Sequence, residues 1–170
     1  LDDFLYGNNG SDELYGGAGA DYMSGGNGAD YMSGGEGVET FFGGAGVDTI
    51  IGGGGDDLYY ILAGDGGDII VEYAGQGNDR ILSAISYSLS SGSEIETLST
   101  DANVGTVNIN LTGNTLNNVI IGNNGVNILD GGLGNDTLYG IGGSIDYFAF
   151  STVANTATNS DLIADWSSAG

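Results

Sequence analysis

Residues 7–60 consist of six consecutive nine-residue blocks, which read GNNGSDELY, GGAGADYMS, GGNGADYMS, GGEGVETFF, GGAGVDTII and GGGGDDLYY. Glycine occupies positions one, two and four of every block, with Asn8 as the only exception. An acidic residue stands at position six, and a large apolar residue stands at position eight. A repeat this short, without an insertion, indicates a solenoid in which each block stacks on its neighbours.

Each block combines a turn and a short strand. The glycine-rich part predicts a turn, because glycine is favoured where φ is positive or where another backbone comes close. The residues after the acid are β-branched or aromatic, which favours a strand. Two blocks then form one coil, and successive coils stack as parallel strands. The pattern predicts an all-β, right-handed parallel β-roll whose interior is filled by position-eight residues such as Leu14, Phe41 and Tyr59.

Stacking places every second acid of the repeat in one column. The two columns are Asp12, Asp30 and Asp48, and Asp21, Glu39 and Asp57. No Lys or Arg lies in these blocks, so carboxylates held this close require a cation. The available ligands are carboxylates and backbone carbonyls without His or Cys, a hard oxygen set that suits Ca²⁺ better than Zn²⁺, copper or Mg²⁺.

The blocks resemble the RTX (repeats-in-toxin), or hemolysin-type, nonapeptide GGxGxDxUx, a repeat already known to bind calcium. The resemblance implies that the carbonyls of positions two and four and the acid of position six bind one Ca²⁺ between turns two blocks apart. The glycines implied as ligands are Gly10, Gly17, Gly19, Gly26, Gly28, Gly35, Gly37, Gly44, Gly46, Gly53 and Gly55, with Gly132 and Gly134 in a later block. Glu39 departs from the pattern, and its extra methylene is expected to move the carboxylate outward and to weaken or rearrange its site.

After residue 60 the register slips by two residues, and the motif returns as AGDGGDIIV and AGQGNDRIL. Asp68 and Asp79 hold position six in these blocks and are predicted to be calcium ligands. The inserted residues, including Glu72 and Tyr73, are expected to widen the loops.

The glycine repeat disappears over residues 83–112, where apolar and polar residues alternate as in a half-buried strand. We expect the solenoid to continue here in longer coils without calcium. Val107, Ile109 and Leu111 are predicted to face inward.

A second repeat region starts at residue 113 with GNTLNNVII, GNNGVNILD and GGLGNDTLY. Position six is Asn118, then Asn127, then Asp136. An amide can ligate weakly or can hydrogen-bond to the turn instead, so both alternatives stay open for the asparagines. Calcium ligands are expected near Asp136, and Asp146 is a further candidate in a repeat that is one residue out of step.

These patterns divide the chain into four predicted segments: a first RTX block (1–82), a β-coil linker that continues the solenoid (83–112), a second RTX block (113–150) and a C-terminal capping segment (151–170). The last segment contains DLIADW, which is similar to the Asp-x-Ile-x-Asp-Phe segment that follows the last roll in RTX proteins. Trp166 is expected to cover the end of the core. The chain begins inside a repeat, which indicates a part of a longer polypeptide.

The composition argues against several classes of function. The chain has 35 Gly, no Pro, Cys or His, one Lys or Arg against 23 acids, and a net charge of −22. Nucleic acids and anionic membrane surfaces attract basic patches, so neither is an expected partner. No apolar run is long enough to insert into a membrane. No catalytic Ser-His-Asp or Cys-His set is present, so we expect no enzyme in this segment.

The sequence favours a calcium-binding RTX β-roll module. The resemblance implies a secreted bacterial protein, extracellular or on the cell surface, that folds on Ca²⁺ binding outside the cell after type I secretion. One alternative is an S-layer or adhesin segment whose rolls are calcium-crosslinked rods, with calcium-dependent self-assembly. Another is a non-catalytic, serralysin-like C-terminal module of a secreted hydrolase or epimerase.

Overall fold

A computed structural model describes residues 1–65, 67–101, 105–142, 145–150 and 159–164. Within these ranges the regular structure consists of strands alone, and each pair of neighbouring strands with an assigned register is parallel. The all-β parallel roll predicted from the repeat is confirmed, while its right-handedness remains a prediction. None of the described residues forms a helix that is long and apolar enough to cross a membrane. The chain separates into two compact units, Leu1–Leu82 and Ser83–Gly170, and the division into four segments stays a prediction.

The first unit is built from two parallel sheets whose strands alternate along the chain. Its strands are β1 Phe4–Asn9, β2 Glu13–Ala18, β3 Tyr22–Asn27, β4 Tyr31–Glu36, β5 Thr40–Ala45, β6 Thr49–Gly54, β7 Leu58–Ile61, β8 Ile69–Val71 and β9 Arg80–Ser83. Within this unit the strand order is β1-β3-β5-β7-β9 in one sheet and β2-β4-β6-β8 in the other. Between the strands of residues 4–61, residues eighteen positions apart are paired, as Met23 is with Phe41 and Met32 with Ile50.

The interior of this unit is filled by the position-eight side chains. Met23, Met32, Phe41 and Tyr59 are fully buried, as is Ile50 apart from 1% of its surface. The rings of Phe41 and Tyr59 stack with their centroids 5.1 Å apart. Burying a side chain of this size stabilises the fold by about 1.5–3 kcal/mol. The inward row predicted from the repeat is confirmed at these positions.

The strands run further than the sequence analysis expected. β2 to β6 each have six residues, and they include the glycines of positions one and two that were assigned to a turn. Gly17 has a φ of +98° and still pairs with Gly35. Identical blocks bend identically, so the parallel ladder continues around the bend, and Gly19 N–H donates to the Glu36 carbonyl at 2.9 Å.

The second unit repeats this plan with shorter strands. They are β10 Tyr87–Ser88, β11 Thr97–Thr100, β12 Leu111–Thr112, β13 Val119–Ile121, β14 Ile128–Asp130, β15 Thr137–Tyr139, β16 Tyr147–Ala149 and β17 Leu162–Ile163. The sheet orders are β11-β13-β15-β17 and β10-β12-β14-β16. Its core contains Leu98, Ile109, Leu111, Ile120, Leu129 and Leu138, each at most 1% exposed.

One inward prediction in this unit is wrong. Val107 is 55% exposed, although Ile109 and Leu111 are buried as expected. Val107 directly follows the turn at Gly105 and precedes β12, so the strand alternation that orients its neighbours has not begun there. The capping role expected for Trp166 lies outside the described residues.

Candidate metal centre

The position-six acids of the first unit lie in two columns that run through successive coils. In one column, Asp30 Oδ1 accepts a hydrogen bond from the Asp12 backbone nitrogen at 2.8 Å. Asp48 Oδ1 accepts from the Asp30 nitrogen at 2.8 Å, and Asp68 Oδ1 accepts from the Asp48 nitrogen at 3.0 Å. Each carboxylate thus uses one oxygen to join its coil to the coil before it.

The second column follows the same rule at Asp21, Asp57 and Asp79, but not at Glu39. Asp21 Oδ1 accepts from the Asp3 nitrogen at 2.7 Å. Asp57 Oδ1 accepts from the Glu39 nitrogen and Asp79 Oδ1 accepts from the Asp57 nitrogen, both at 2.8 Å. The acids identified in the repeat therefore lie together, including those in the two blocks after the slip in register.

The other oxygen of each carboxylate creates the demand for a cation. Asp21, Asp30, Glu39, Asp48 and Asp57 are at most 3% exposed. The buried carboxylate oxygens of the first unit that have no hydrogen-bond partner are Oδ2 of Asp12, Asp21, Asp30, Asp48, Asp57 and Asp68, both oxygens of Glu39, and Oε2 of Glu72. A charged group in this situation costs several kcal/mol, so it either takes up a proton or binds a cation.

Burial makes the carboxyls of Asp48, Asp57 and Asp68 hold protons more tightly when no ion is bound. It is the main cause that raises the pKa of Asp48 and of Asp57 above the ordinary value. It also raises the pKa of Asp68 to about 6. The columns consequently have a strong preference for any partner that neutralises them.

Glu39 lies inside the roll, so its extra methylene does not carry the carboxylate out to the surface. A weakened or rearranged ion site at Glu39 stays a prediction. Glu39 is 0% exposed, and burial together with the neighbouring Asp57 carboxylate raises its pKa to about 8. The extra methylene fits because Gly34 has no side chain: a Cβ at Gly34 would lie 2.8 Å from Glu39 Cγ.

Glycine at position one has a role that the sequence analysis did not recognise. Its φ is not positive, unlike that of the glycines at positions two and four. A Cβ at Gly25 would lie 2.5 Å from Asp30 Oδ2, and one at Gly43 would lie 2.6 Å from Asp48 Oδ2. The space for each carboxylate is the missing side chain of this glycine, and the recurrence of glycine at position one was the available signal.

The turn glycines bring successive coils into direct contact. Gly26 and Gly28 have φ values of +111° and +140°, and Gly44 and Gly46 repeat them at +96° and +143°. A Cβ at Gly44 or Gly46 would overlap the carbonyl oxygen of the glycine one coil earlier. The carbonyls implied as ligands therefore lie in closely stacked turns next to the acid columns, and carboxylates with carbonyls form a donor set that fits Ca²⁺.

The structure adds one acid that the sequence analysis assigned to a widened loop. Glu72 is 2% exposed, and Asp57, Glu72 and Asp79 each offer a ligand oxygen within 4.8 Å of the others. Burial raises the pKa of Glu72 to about 7. The sequence signal for Glu72 was its place in the repeat. Ile51 of β6 pairs with Val71 of β8, so the residues that follow them, Gly52 and Glu72, are equivalent.

The asparagines of the second unit satisfy their own hydrogen bonds. Asn118 Nδ2 donates to the Ile95 carbonyl at 2.8 Å, and Asn127 Nδ2 donates to the Ile109 carbonyl at 2.9 Å. Of the two alternatives left open by the sequence, the structure shows the hydrogen-bonded one. These amides join the coils without needing an ion.

A short acid column follows these amides. Asp136 Oδ1 accepts from the Asn118 nitrogen at 2.7 Å, while Asp136 Oδ2 is buried without a partner. Burial raises the pKa of Asp136 to about 7. Asp161 Oδ1 accepts from the Asp136 nitrogen at 3.2 Å, which places in this column an acid not proposed from the sequence. Asp146 is half-buried and accepts from the Asn127 nitrogen at 2.9 Å.

A parallel β-roll with buried, half-satisfied carboxylate columns defines a metal-binding solenoid. Comparison with known families agrees with this class: the model of the RTX calcium-binding nonapeptide repeat matches residues 1–32, 33–70 and 112–144 with four copies, which is more than half of the chain. The chain therefore belongs to the RTX calcium-binding nonapeptide repeat family, and its cofactor is Ca²⁺. No curated protein and no solved structure matches the chain.

Proposed function

We propose that this calcium-binding β-roll module is a folding switch of a secreted protein, disordered at low calcium and folded once Ca²⁺ fills the turns. The single observation that supports this proposal is the stacking of buried carboxylates whose second oxygen has no partner, as in Asp30 and Asp48. The chain has one basic residue against 23 acids, so its own side chains offer little compensation.

The mechanism couples metal binding to folding through this charge. Without calcium, stacking two coils brings like charges together in a dry interior, and this cost opposes the burial of Met32 and Ile50. Calcium held between the position-six acids and the turn carbonyls neutralises the column, and the apolar row can then pack. The binding free energy of the ions becomes folding free energy, as it does in other small metal-dependent domains.

The location follows from the calcium concentration that such a switch needs. Extracellular calcium modules bind with dissociation constants of about 10⁻⁴–10⁻³ M, far weaker than intracellular sensors at about 10⁻⁷–10⁻⁵ M. We propose that the chain leaves the cell unfolded through a type I system and folds outside. Membership of the RTX family supports this proposal, because RTX proteins are typically secreted.

Limited proteolysis at controlled free calcium tests the switch. At about 10⁻⁷ M calcium we expect rapid cleavage throughout the chain, and at about 10⁻³ M we expect a resistant fragment that spans the first unit. The same concentrations of Mg²⁺ should leave the chain sensitive. Equal resistance at both calcium concentrations would contradict the proposal.

The other roles named from the sequence remain hypotheses. A calcium-crosslinked S-layer or adhesin segment would show a calcium-dependent rise in mass in light scattering. A module attached to a hydrolase or epimerase would itself bind calcium without acting on the substrate.

A further inference from the structure

Glu72 stands where the repeat elsewhere has glycine. The strands β6 and β8 pair in register, with Ile51 opposite Val71, so the following residues, Gly52 and Glu72, occupy equivalent positions in successive coils. Glycine at this position leaves room for a position-six carboxylate, as shown for Gly25 and Asp30. Glu72 instead brings a carboxylate of its own into the interior, where it is 2% exposed.

The Glu72 carboxylate lies beside two other side-chain oxygens. The Tyr59 hydroxyl donates a hydrogen bond to Glu72 Oε1. A Cβ at Gly52 would contact Glu72 Oε1, the Tyr59 hydroxyl and Asp57 Oδ2 at once, so these three oxygens surround the space that Gly52 leaves free. The Asp79 carboxylate reaches the same cluster, with one oxygen from each acid within 4.8 Å of the others.

This cluster has buried oxygens that point to a ligand. Glu72 Oε2 and Asp57 Oδ2 are inaccessible and have no hydrogen-bond partner. Both residues are at most 2% exposed. Oxygens that share one calcium ion at about 2.3–2.6 Å are at most about 5 Å apart, which agrees with the spacing of the three acids.

We propose that Asp57, Glu72 and Asp79 form an additional calcium site in the interior of the first unit. The site differs from the turn sites of the repeat because Glu72, rather than a turn carbonyl, supplies the added ligand, and the Tyr59 hydroxyl orients that ligand. It joins the coil that contains Asp57 to the next one, where the register has slipped. This inference rests on calcium binding by the repeats.

The first test counts calcium ions in the variant Glu72→Gln, which removes the charge and keeps the shape of the side chain. After equilibrium dialysis against saturating calcium, elemental analysis is expected to find one ion fewer per chain than in the unchanged protein. Glu36→Gln is the matched control, because Glu36 is exposed in β4, and it should retain every ion. An unchanged count in Glu72→Gln would overturn the proposal.

A second variant and a second measurement keep the outcome clear if Glu72→Gln fails to fold. Glu72→Gly restores the residue found at this position in the six blocks of residues 7–60 and should likewise lose one ion, with its strand signal in circular dichroism retained. Anomalous diffraction from the unchanged protein crystallised in calcium should give a peak within about 2.6 Å of all three carboxylates. Peaks at the turns without a peak here would overturn this inference alone, whereas the absence of every calcium peak would also contradict the proposed function.

Discussion

Asp30 joins the coil of Asp12 through one carboxylate oxygen and leaves the other without a partner. Its Oδ1 lies 2.8 Å from the Asp12 nitrogen, eighteen residues earlier, whereas its Oδ2 is buried and accepts no hydrogen bond. One oxygen of the Asp30 side chain therefore joins two coils, and the other is available to a metal ion. This division distinguishes the acid from the amide of Asn118, whose Nδ2 has its own partner in the Ile95 carbonyl.

Asp30→Asn should weaken calcium-dependent folding. The amide oxygen can still accept from the Asp12 nitrogen, but the negative charge opposite the ion is lost. We expect the midpoint of a calcium titration to rise at least about tenfold, the lower range for disturbing a metal site. Circular dichroism measures the midpoint, and Glu13→Gln, an exposed change in β2, is the control. A midpoint shared by both variants would show that Asp30 binds no ion.

Gly25→Ala should destabilise the first unit. The added methyl group would lie 2.5 Å from Asp30 Oδ2 and 2.7 Å from the Gly43 carbonyl oxygen. We expect a loss of about 1–3 kcal/mol in the free energy of unfolding at saturating calcium, as for other overpacked interiors. Gly54→Ala is the matched control, because its methyl group would meet only the mobile end of exposed Glu36. Equal losses in the two variants would contradict the role given to position one.

Acid should partly replace calcium in folding the chain. The pKa of Glu39 is raised from 4.5 to about 8 in the folded, ion-free state, and that of Asp136 is raised from 3.8 to about 7. A raised carboxyl pKa means that the folded state binds more protons than the unfolded state. The stability of the ion-free fold therefore falls as the pH rises from the ordinary pKa of each carboxyl to its raised pKa. In chelator, the strand signal should be larger at pH 5 than at pH 8.

The sign of this effect reverses in saturating calcium, because protons compete with the ion for the same oxygens. Thermal unfolding at pH 5 and pH 8, with calcium and with chelator, checks both signs. A chelator-treated chain that is more ordered at pH 8 than at pH 5 would contradict the account of the buried carboxyls.

Asn127→Asp should make the second unit more dependent on calcium. The Asn127 amide donates to the Ile109 carbonyl at 2.9 Å, and a carboxylate there would face that oxygen without a proton. We expect a loss of about 1–3 kcal/mol in chelator, reduced when calcium is added. Asn135→Asp is the control, since among the described residues the side chain of exposed Asn135 makes one hydrogen bond, in which its Oδ1 accepts from the Ser160 nitrogen at 2.9 Å. An equal loss in the free energy of unfolding of Asn127→Asp with and without calcium would contradict the prediction that the new carboxylate binds an ion.

Much of the fold followed from the nine-residue period. A fixed period places each residue opposite its equivalent two blocks later, so the pairing of Met32 with Ile50 and the joining of Asp12 to Asp30 are consequences of the sequence spacing. The role of each acid as a calcium ligand stays a prediction. The period alone does not predict the direction of a side chain at a position that departs from the repeat.

Glu39, Glu72 and Val107 show why. The position of Glu39 depends on the room above Gly34, and that of Glu72 on the equivalence with Gly52 across a two-residue slip. The exposure of Val107 depends on where the turn ends and the strand alternation begins. The position of each of these side chains depends on the space beside it. That space is defined only when neighbouring coils are stacked.

The central claim is that calcium neutralises the carboxylate columns and thereby folds the chain. Far-ultraviolet circular dichroism of the chelator-treated chain during a calcium titration, with Mg²⁺ as the control ion, tests it most directly. We predict a cooperative gain of strand signal with calcium and none with magnesium. A strand spectrum already complete in chelator at pH 8 would contradict the claim, because it would show that the apolar row folds the roll without the ion.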